Sequence, residues 1–94
     1  MSKYEVLYVI SPDLNDEEKQ AVVDKYKKYV EDNGGTVAGI EKLGMKTLSY
    51  PIKFKKEGFY VLMNYELSKQ SSTAMGKLML INESLLRHII VNKG

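Results

Sequence analysis

The sequence has no cysteine and only one histidine, His88, and one arginine, Arg87, among its 94 residues. Without cysteine the chain has no disulfide, no thiol chemistry and no cysteine-ligated zinc, and a reducing compartment suits it. A single histidine and scattered acidic residues provide no cluster of metal ligands. The sequence therefore predicts neither a metal site nor a cofactor.

Long apolar segments are also missing. No run approaches the roughly 18 residues that a membrane-spanning helix needs, and the first residues follow the pattern of a strand and not that of a signal peptide. We therefore expect a soluble, cytoplasmic protein with no membrane partner. A chain of this length is sufficient for one domain, residues 1–94, which buries roughly 60 to 65 per cent of its unfolded surface.

The motifs of common enzyme classes do not occur. The glycine patterns that bind nucleotides and the pattern around a nucleophilic serine are absent. His88 is the only candidate general base, and it lies in an otherwise apolar segment. The loop Ser11–Leu14 has no basic residue, unlike the phosphate-binding loop of the acylphosphatases. We predict no catalytic residue and no small-molecule substrate.

Charge is distributed unevenly along the chain. Residues 1–35 carry three net negative charges, residues 36–60 carry three net positive charges, and residues 61–94 carry two net positive charges. An acidic first third and a basic remainder indicate a positive surface that suits phosphate groups. Ordinary surface charge would give the same counts.

The segment from Gly35 to Leu67 has the pattern of two strands joined by a lysine-rich turn. Its second strand, residues 58–67, alternates with period two, and the odd-numbered residues from Phe59 to Leu67 are expected to face the core. Its first strand, residues 36–52, contains Gly39 and Gly44, where the alternation slips and bulges are expected. Pro51 favours an edge strand. The predicted turn, residues 53–58, contains three lysines.

The remaining segments give two more strands and two helices. Residues 3–10 alternate as a first strand with Tyr4, Val6, Tyr8 and Ile10 inward. A helix is predicted to start at Asp16, with Asn15 as its cap and Glu18 as the partner of that cap, and to end at residues 33–35. A second helix is predicted to begin at Ser68 or Gln70, and its apolar side is expected to consist of Met75, Leu78 and Met79. Residues 85–91 are predicted to form the last strand.

The order of these elements is βαββαβ. We therefore predict an α+β fold of the ferredoxin-like type, in which two helices cover one face of a four-stranded antiparallel sheet. The RNA-recognition motif has the same order, but Glu57 stands where that motif has a basic residue and Val61 where it has an aromatic one.

Four segments resemble one protein family in order and separation: Tyr4-Glu5-Val6, residues 44–52 (GMKTLSYPI), residues 58–64 (GFYVLMN) and residues 86–91 (LRHIIV). Together they are similar to the sixth protein of the bacterial small ribosomal subunit over essentially the whole chain. The resemblance implies a ferredoxin-like, non-catalytic protein that binds small-subunit (16S) ribosomal RNA together with ribosomal protein S18. It also implies basic contact positions at Lys3, Lys46 and Arg87.

The candidate phosphate contacts are the basic residues of the hairpin and three others near the chain ends or in the last strand. Lysines in such positions would act as point charges on the RNA backbone. The full set is Lys42, Lys46, Lys53, Lys55 and Lys56, with Lys3, Arg87 and Lys93 as further candidates.

The sheet face away from the helices is predicted to bind a protein. Strand parity places an apolar patch there that is larger than a free monomer usually exposes; it consists of Leu7, Val9, Tyr60, Leu62, Ile89 and Val91. The same parity turns His88 towards the helices if Arg87 is exposed. The alternative function is a ferredoxin-like regulatory module that dimerises and binds a small metabolite, for which Gly34-Gly35 is the only glycine pair available as a ligand loop.

Overall fold

A computed structural model describes all residues from Met1 to Gly94. The elements are β1 (Ser2–Ile10), α1 (Asp16–Asp32), β2 (Thr36–Ile52), β3 (Lys55–Leu67), α2 (Lys69–Leu80) and β4 (Leu85–Asn92). The strands form one antiparallel sheet in the order β2-β3-β1-β4. Both helices pack on the same face of this sheet. The predicted ferredoxin-like βαββαβ fold is confirmed.

The main core lies between the helices and the two central strands, β1 and β3. Tyr4 lies opposite Tyr65, and the alternation continues in register to Ile10 opposite Phe59. These inward residues are buried except Phe59, which is half-buried and packs against the core beneath the ammonium group of Lys19. The predicted parity of both strands is therefore confirmed.

Helix α1 begins and ends at the predicted residues. Asn15 Oδ1 accepts a hydrogen bond from the backbone N–H of Glu18 at 2.8 Å, and Glu18 Oε1 accepts one from the N–H of Asn15 at 2.9 Å. This reciprocal pair satisfies two of the unpaired N–H groups at the helix start. After Asp32 the chain turns through Gly34 at φ +80°, a conformation that glycine adopts without steric cost.

Helix α2 packs through a narrower stripe than the sequence predicts. Its buried residues are Ser72, Met75 and Met79, whereas Leu78 is 41% exposed, so its predicted inward position is wrong. A polar residue occupies the stripe because the Ser72 hydroxyl lies 3.0 Å from the hydroxyl of Tyr65, which satisfies both groups. Neither helix is long and apolar enough to cross a membrane.

The connection between β2 and β3 is a tight hairpin and not the predicted six-residue turn. Ile52 lies opposite Lys55, so the turn contains only Lys53 and Phe54, at φ +50° and +65°. The sequence gives no signal for this turn because such dihedrals normally select glycine, asparagine or aspartate. The bulges predicted at Gly39 and Gly44 are confirmed, because the pairing of β2 with β3 shifts register at both glycines. The edge position that Pro51 predicts for β2 is also confirmed.

A third irregularity brings the end of the hairpin across the sheet. Between the pairs Thr47–Glu57 and Ile52–Lys55, β2 has four residues and β3 has one. The extra length lets Leu48 pack onto the sheet face that the helices leave open, against Val9 and Leu86. These three buried residues form a small second core, called the Leu48 cluster below.

Gly58 is the position that makes the Leu48 cluster possible. A Cβ atom there would overlap Val9 Cγ1 and lie 3.3 Å from Leu86 Cδ1. Overpacking of this kind costs about 1 to 3 kcal/mol.

We predict that Gly58→Ala lowers the free energy of unfolding by that amount in urea titrations. Gly39→Ala is the matched control, because nothing lies within 4 Å of its Cβ position; equal effects of the two substitutions would contradict the assignment.

Candidate nucleic-acid and protein interface

The sheet face away from the helices, here called the open face, is apolar in its centre. Leu7 of β1 lies directly opposite Leu62 of β3 on one side and Ile89 of β4 on the other. Directly opposed residues of antiparallel strands share a face, so their side chains adjoin. Arg87 and Ile89 line a depression of about 110 Å³ with residues of the central strands: Leu7, Val9 and Tyr60.

Five of the six residues predicted for a protein-binding patch are accessible on the open face. Ile89 and Val91 are 43% and 47% exposed, and Leu7, Tyr60 and Leu62 are half-buried. Val9 is the exception: it lies on the predicted face but is only 1% exposed, because the Leu48 cluster covers it. Val9 therefore contributes to packing and is not available to a partner in this structure.

Basic side chains lie at both ends of the open face. At one end, Lys93 donates its backbone N–H to the carbonyl oxygen of Lys3 at 2.7 Å. At the other end, Arg87 lies opposite Val9, and Lys46 lies opposite Gly58. Lys3 and Val9 are six positions apart in β1, which corresponds to about 20 Å along the strand. The apolar patch lies between these two ends.

Three other candidate lysines of the hairpin already have partners within the chain. Lys42 lies on the helix side, where its ammonium group donates to Gln20 Oε1 of α1. Lys53 Nζ donates to the carbonyl oxygen of Leu85 at 3.1 Å. Lys55 forms an ion pair with Asp13. The last two contacts tie the hairpin to the body of the protein.

Four of the eight candidate basic residues have no hydrogen bond or ion pair within the chain: Lys3, Lys46, Lys56 and Arg87. Lys93 differs from them because its ammonium group lies 2.9 Å from Glu5 Oε2. Exposed ion pairs of this kind contribute at most about 1 kcal/mol, so Lys93 can exchange this partner for another anion.

The open face also carries acidic residues, which were not among the predicted site residues. Glu66 lies opposite Lys3, Glu41 lies opposite Leu62, and Glu5 lies on the same face of β1. The signal was present in the strand parity, which placed these carboxylates beside the patch. They make the face suitable for a partner that also carries positive charge.

His88 lies on the helix side of β4, as predicted from the exposure of Arg87. A Cβ on Gly76 of α2 would lie 3.9 Å from His88 Nε2, so the imidazole adjoins the helix. Burial lowers the pKa of His88 from its ordinary value of 6.5, because the charged form loses hydration there. At neutral pH the imidazole is therefore uncharged and contributes no positive charge to the candidate RNA surface.

The fold and the open face together are those of a binding protein and not of an enzyme. A ferredoxin-like sheet that leaves one face accessible, with an apolar centre and basic ends, is typical of a binding protein. No group of three or more histidine, cysteine or carboxylate side chains is placed to hold a metal ion.

Comparison with known proteins then identifies the family. The family model described as Ribosomal protein S6 matches residues 3–92. The small ribosomal subunit protein bS6 of Desulfitobacterium hafniense is 40% identical over 93 residues, which cover 99% of this chain and 98% of that one. The bS6 protein of Caldanaerobacter subterraneus is 37% identical over 91 residues, covering 97% and 96%.

A solved structure supports the fold. The crystal structure of 30S ribosomal protein S6 from Thermotoga maritima superimposes with a TM-score of 0.91 at 24% identity, covering 98% of this chain and 87% of that one. The chain belongs to the ribosomal protein S6 family. It is a structural component of the small ribosomal subunit in the cytoplasm and not an enzyme, which decides against the alternative of a metabolite-binding regulatory module.

The lowered pKa of His88 predicts a pH dependence of stability. The unfolded chain binds a proton at this residue near pH 6.5, whereas the folded chain does so only at lower pH. The free energy of unfolding should therefore fall as the pH drops from above 6.5 towards the folded pKa. Urea titrations at about pH 7.5 and about pH 5.5 should show a smaller fall for His88→Leu than for the unsubstituted chain. An equal fall in both proteins would contradict the assignment of this pH dependence to His88.

Proposed function

We propose that the chain binds small-subunit (16S) ribosomal RNA through the basic ends of the open face, while ribosomal protein S18 covers the apolar centre between them. The observation that carries the proposal is that four candidate basic residues of the open face and the hairpin have no hydrogen bond or ion pair within the chain. Three of them, Lys3, Lys46 and Arg87, are the positions that the family resemblance implies. The family to which the chain belongs supports the ribosomal setting.

The separation of the two ends suits a shared interface with RNA and protein. Charges about 20 Å apart along the strand would reach separate stretches of the RNA backbone. Lysine and arginine without internal partners can neutralise phosphates at no cost in broken ion pairs. Lys53 and Lys55 are weaker candidates, because each would first have to leave its contact with Leu85 or Asp13.

The centre of the face suits a protein better than RNA. Its side chains are aliphatic except for Tyr60, so they offer few groups that could stack on bases or bind phosphate. The exposed part of the patch runs along β4 and across the central strands, beside Glu5 and Glu41. A partner with an apolar core contact and basic residues at its edge would match this pattern.

Salt dependence tests the RNA contacts. If three or four phosphates are neutralised, the logarithm of the affinity for 16S ribosomal RNA, measured with S18 present, should fall with the logarithm of salt at a slope of about −2 to −4. Replacing both Lys46 and Lys56 by alanine should flatten this slope by about 1 to 2.

The matched control for that slope is Lys25→Ala with Lys27→Ala. These two exposed lysines lie on α1, so the net charge changes equally while the open face stays intact. If both double variants flatten the slope equally, the effect is one of net charge, and the proposed contact residues are wrong.

The apolar patch can be tested separately through binding of S18 in isothermal titration calorimetry. Ile89→Ser with Val91→Ser removes two accessible residues and should weaken S18 binding by tenfold or more. The cost in stability should stay below about 1 kcal/mol per substitution, since both side chains are nearly half exposed and lie on an edge strand. Leu78→Ser with Leu80→Ser, on α2, is the control, and unchanged S18 affinity in the β4 variant would disprove this assignment.

A further inference from the structure

The tip of the β2–β3 hairpin presents a fully exposed aromatic ring. Phe54 has a relative exposure of 101%, the highest of the exposed large hydrophobic residues. Its ring therefore contributes no packing to the fold. Single exposed apolar residues are ordinary on protein surfaces, so exposure alone assigns no role to this one.

The backbone conformation makes Phe54 unusual. Lys53 and Phe54 are the only residues other than glycine with positive φ, and a bulky side chain rarely adopts such a value. Glycine, asparagine or aspartate would form the same turn more favourably. Phenylalanine thus costs backbone energy here and returns no packing, which points to a role in binding.

The turn is also held in place on both sides of the ring. Lys53 Nζ donates to the carbonyl oxygen of Leu85, and Lys55 forms an ion pair with Asp13. Ile52, immediately before the turn, packs against the Leu48 cluster. A ring that is presented by an anchored turn loses little conformational freedom when it binds.

We propose that Phe54 stacks on an unpaired base of small-subunit ribosomal RNA. This inference depends on the proposed function and adds to it a contact that is not electrostatic. Stacking requires only an accessible ring face, and cationic side chains nearby strengthen the attachment to the backbone. Lys56, which has no partner in the chain, is two residues away.

The surroundings of the ring favour a base over a protein pocket. Its neighbours along the hairpin are Lys53, Lys55 and Lys56, and lysine is depleted in protein interfaces. An apolar anchor in a protein interface normally lies in a well-packed pocket from which water is excluded, whereas a base can stack on an isolated ring.

The test measures two steps with the same variants: association with S18, and binding of the resulting pair to 16S ribosomal RNA. Phe54→Ala should leave S18 association and the thermal midpoint unchanged and weaken RNA binding roughly 5- to 100-fold. Phe54→Leu should weaken RNA binding nearly as much, because it keeps the apolar surface but loses the ring. Phe54→Trp should bind RNA about as tightly as the unsubstituted chain, because it keeps an aromatic ring.

The salt dependence separates stacking from charge. Phe54→Ala should shift the affinity at every salt concentration without changing the slope, whereas Lys56→Ala should reduce the slope by about one. Leu80→Ala is the control for loss of an exposed apolar side chain, because Leu80 is 75% exposed on α2. It should change neither the RNA affinity nor the salt slope.

Three outcomes would overturn the proposal. If the unsubstituted pair binds RNA and Phe54→Ala leaves the affinity unchanged, Phe54 does not stack on a base, and the proposed function is unaffected. If Phe54→Ala weakens the association with S18 but RNA binding is otherwise retained, the ring contacts the protein partner and not the RNA. If the unsubstituted pair does not bind 16S ribosomal RNA, both the proposed function and this inference are wrong.

Discussion

The pairing of β1 with β3 is the constraint on which both faces of the protein depend. These strands are central neighbours in an unbroken register from Ser2 opposite Leu67 to Ile10 opposite Phe59. A shift of one residue would turn every core side chain outward and bring the charged residues of the open face beneath the helices. The same register that buries Val6 and Met63 therefore sets Leu7 beside Leu62 on the opposite face.

The long hairpin adds a second constraint on the open face. Its irregular pairing near Leu48 bends the end of β2 across the sheet, and the absence of a side chain at Gly58 leaves room for Val9. The Leu48 cluster closes one end of the face, and the contacts of Lys53 and Lys55 hold the turn that follows. The accessible apolar surface is thereby limited to the middle of the sheet and to β4.

These two constraints divide the basic residues into different roles. Lysines on the hairpin end that contact Leu85 or Asp13 hold the hairpin in place, and Lys42 contacts α1. The candidate side chains without internal partners lie at the ends of the open face or on the hairpin. A count of positive charge along the chain does not separate these roles, because neighbouring lysines differ only in what the fold brings near their ammonium groups.

Local periodicity and short motifs were sufficient to predict the order of elements, the cap of α1, the parity of β1 and β3, the bulges of β2 and the family resemblance. Three features could be seen only in the folded chain. Val9 is covered, the turn contains two residues and leaves Phe54 exposed, and Ser72 is buried on α2 whereas Leu78 is not. These features escape sequence patterns because burial and charge pairing arise between residues far apart in sequence. Leu48 reaches Val9, and Lys53 reaches Leu85, only after the hairpin has folded across the sheet.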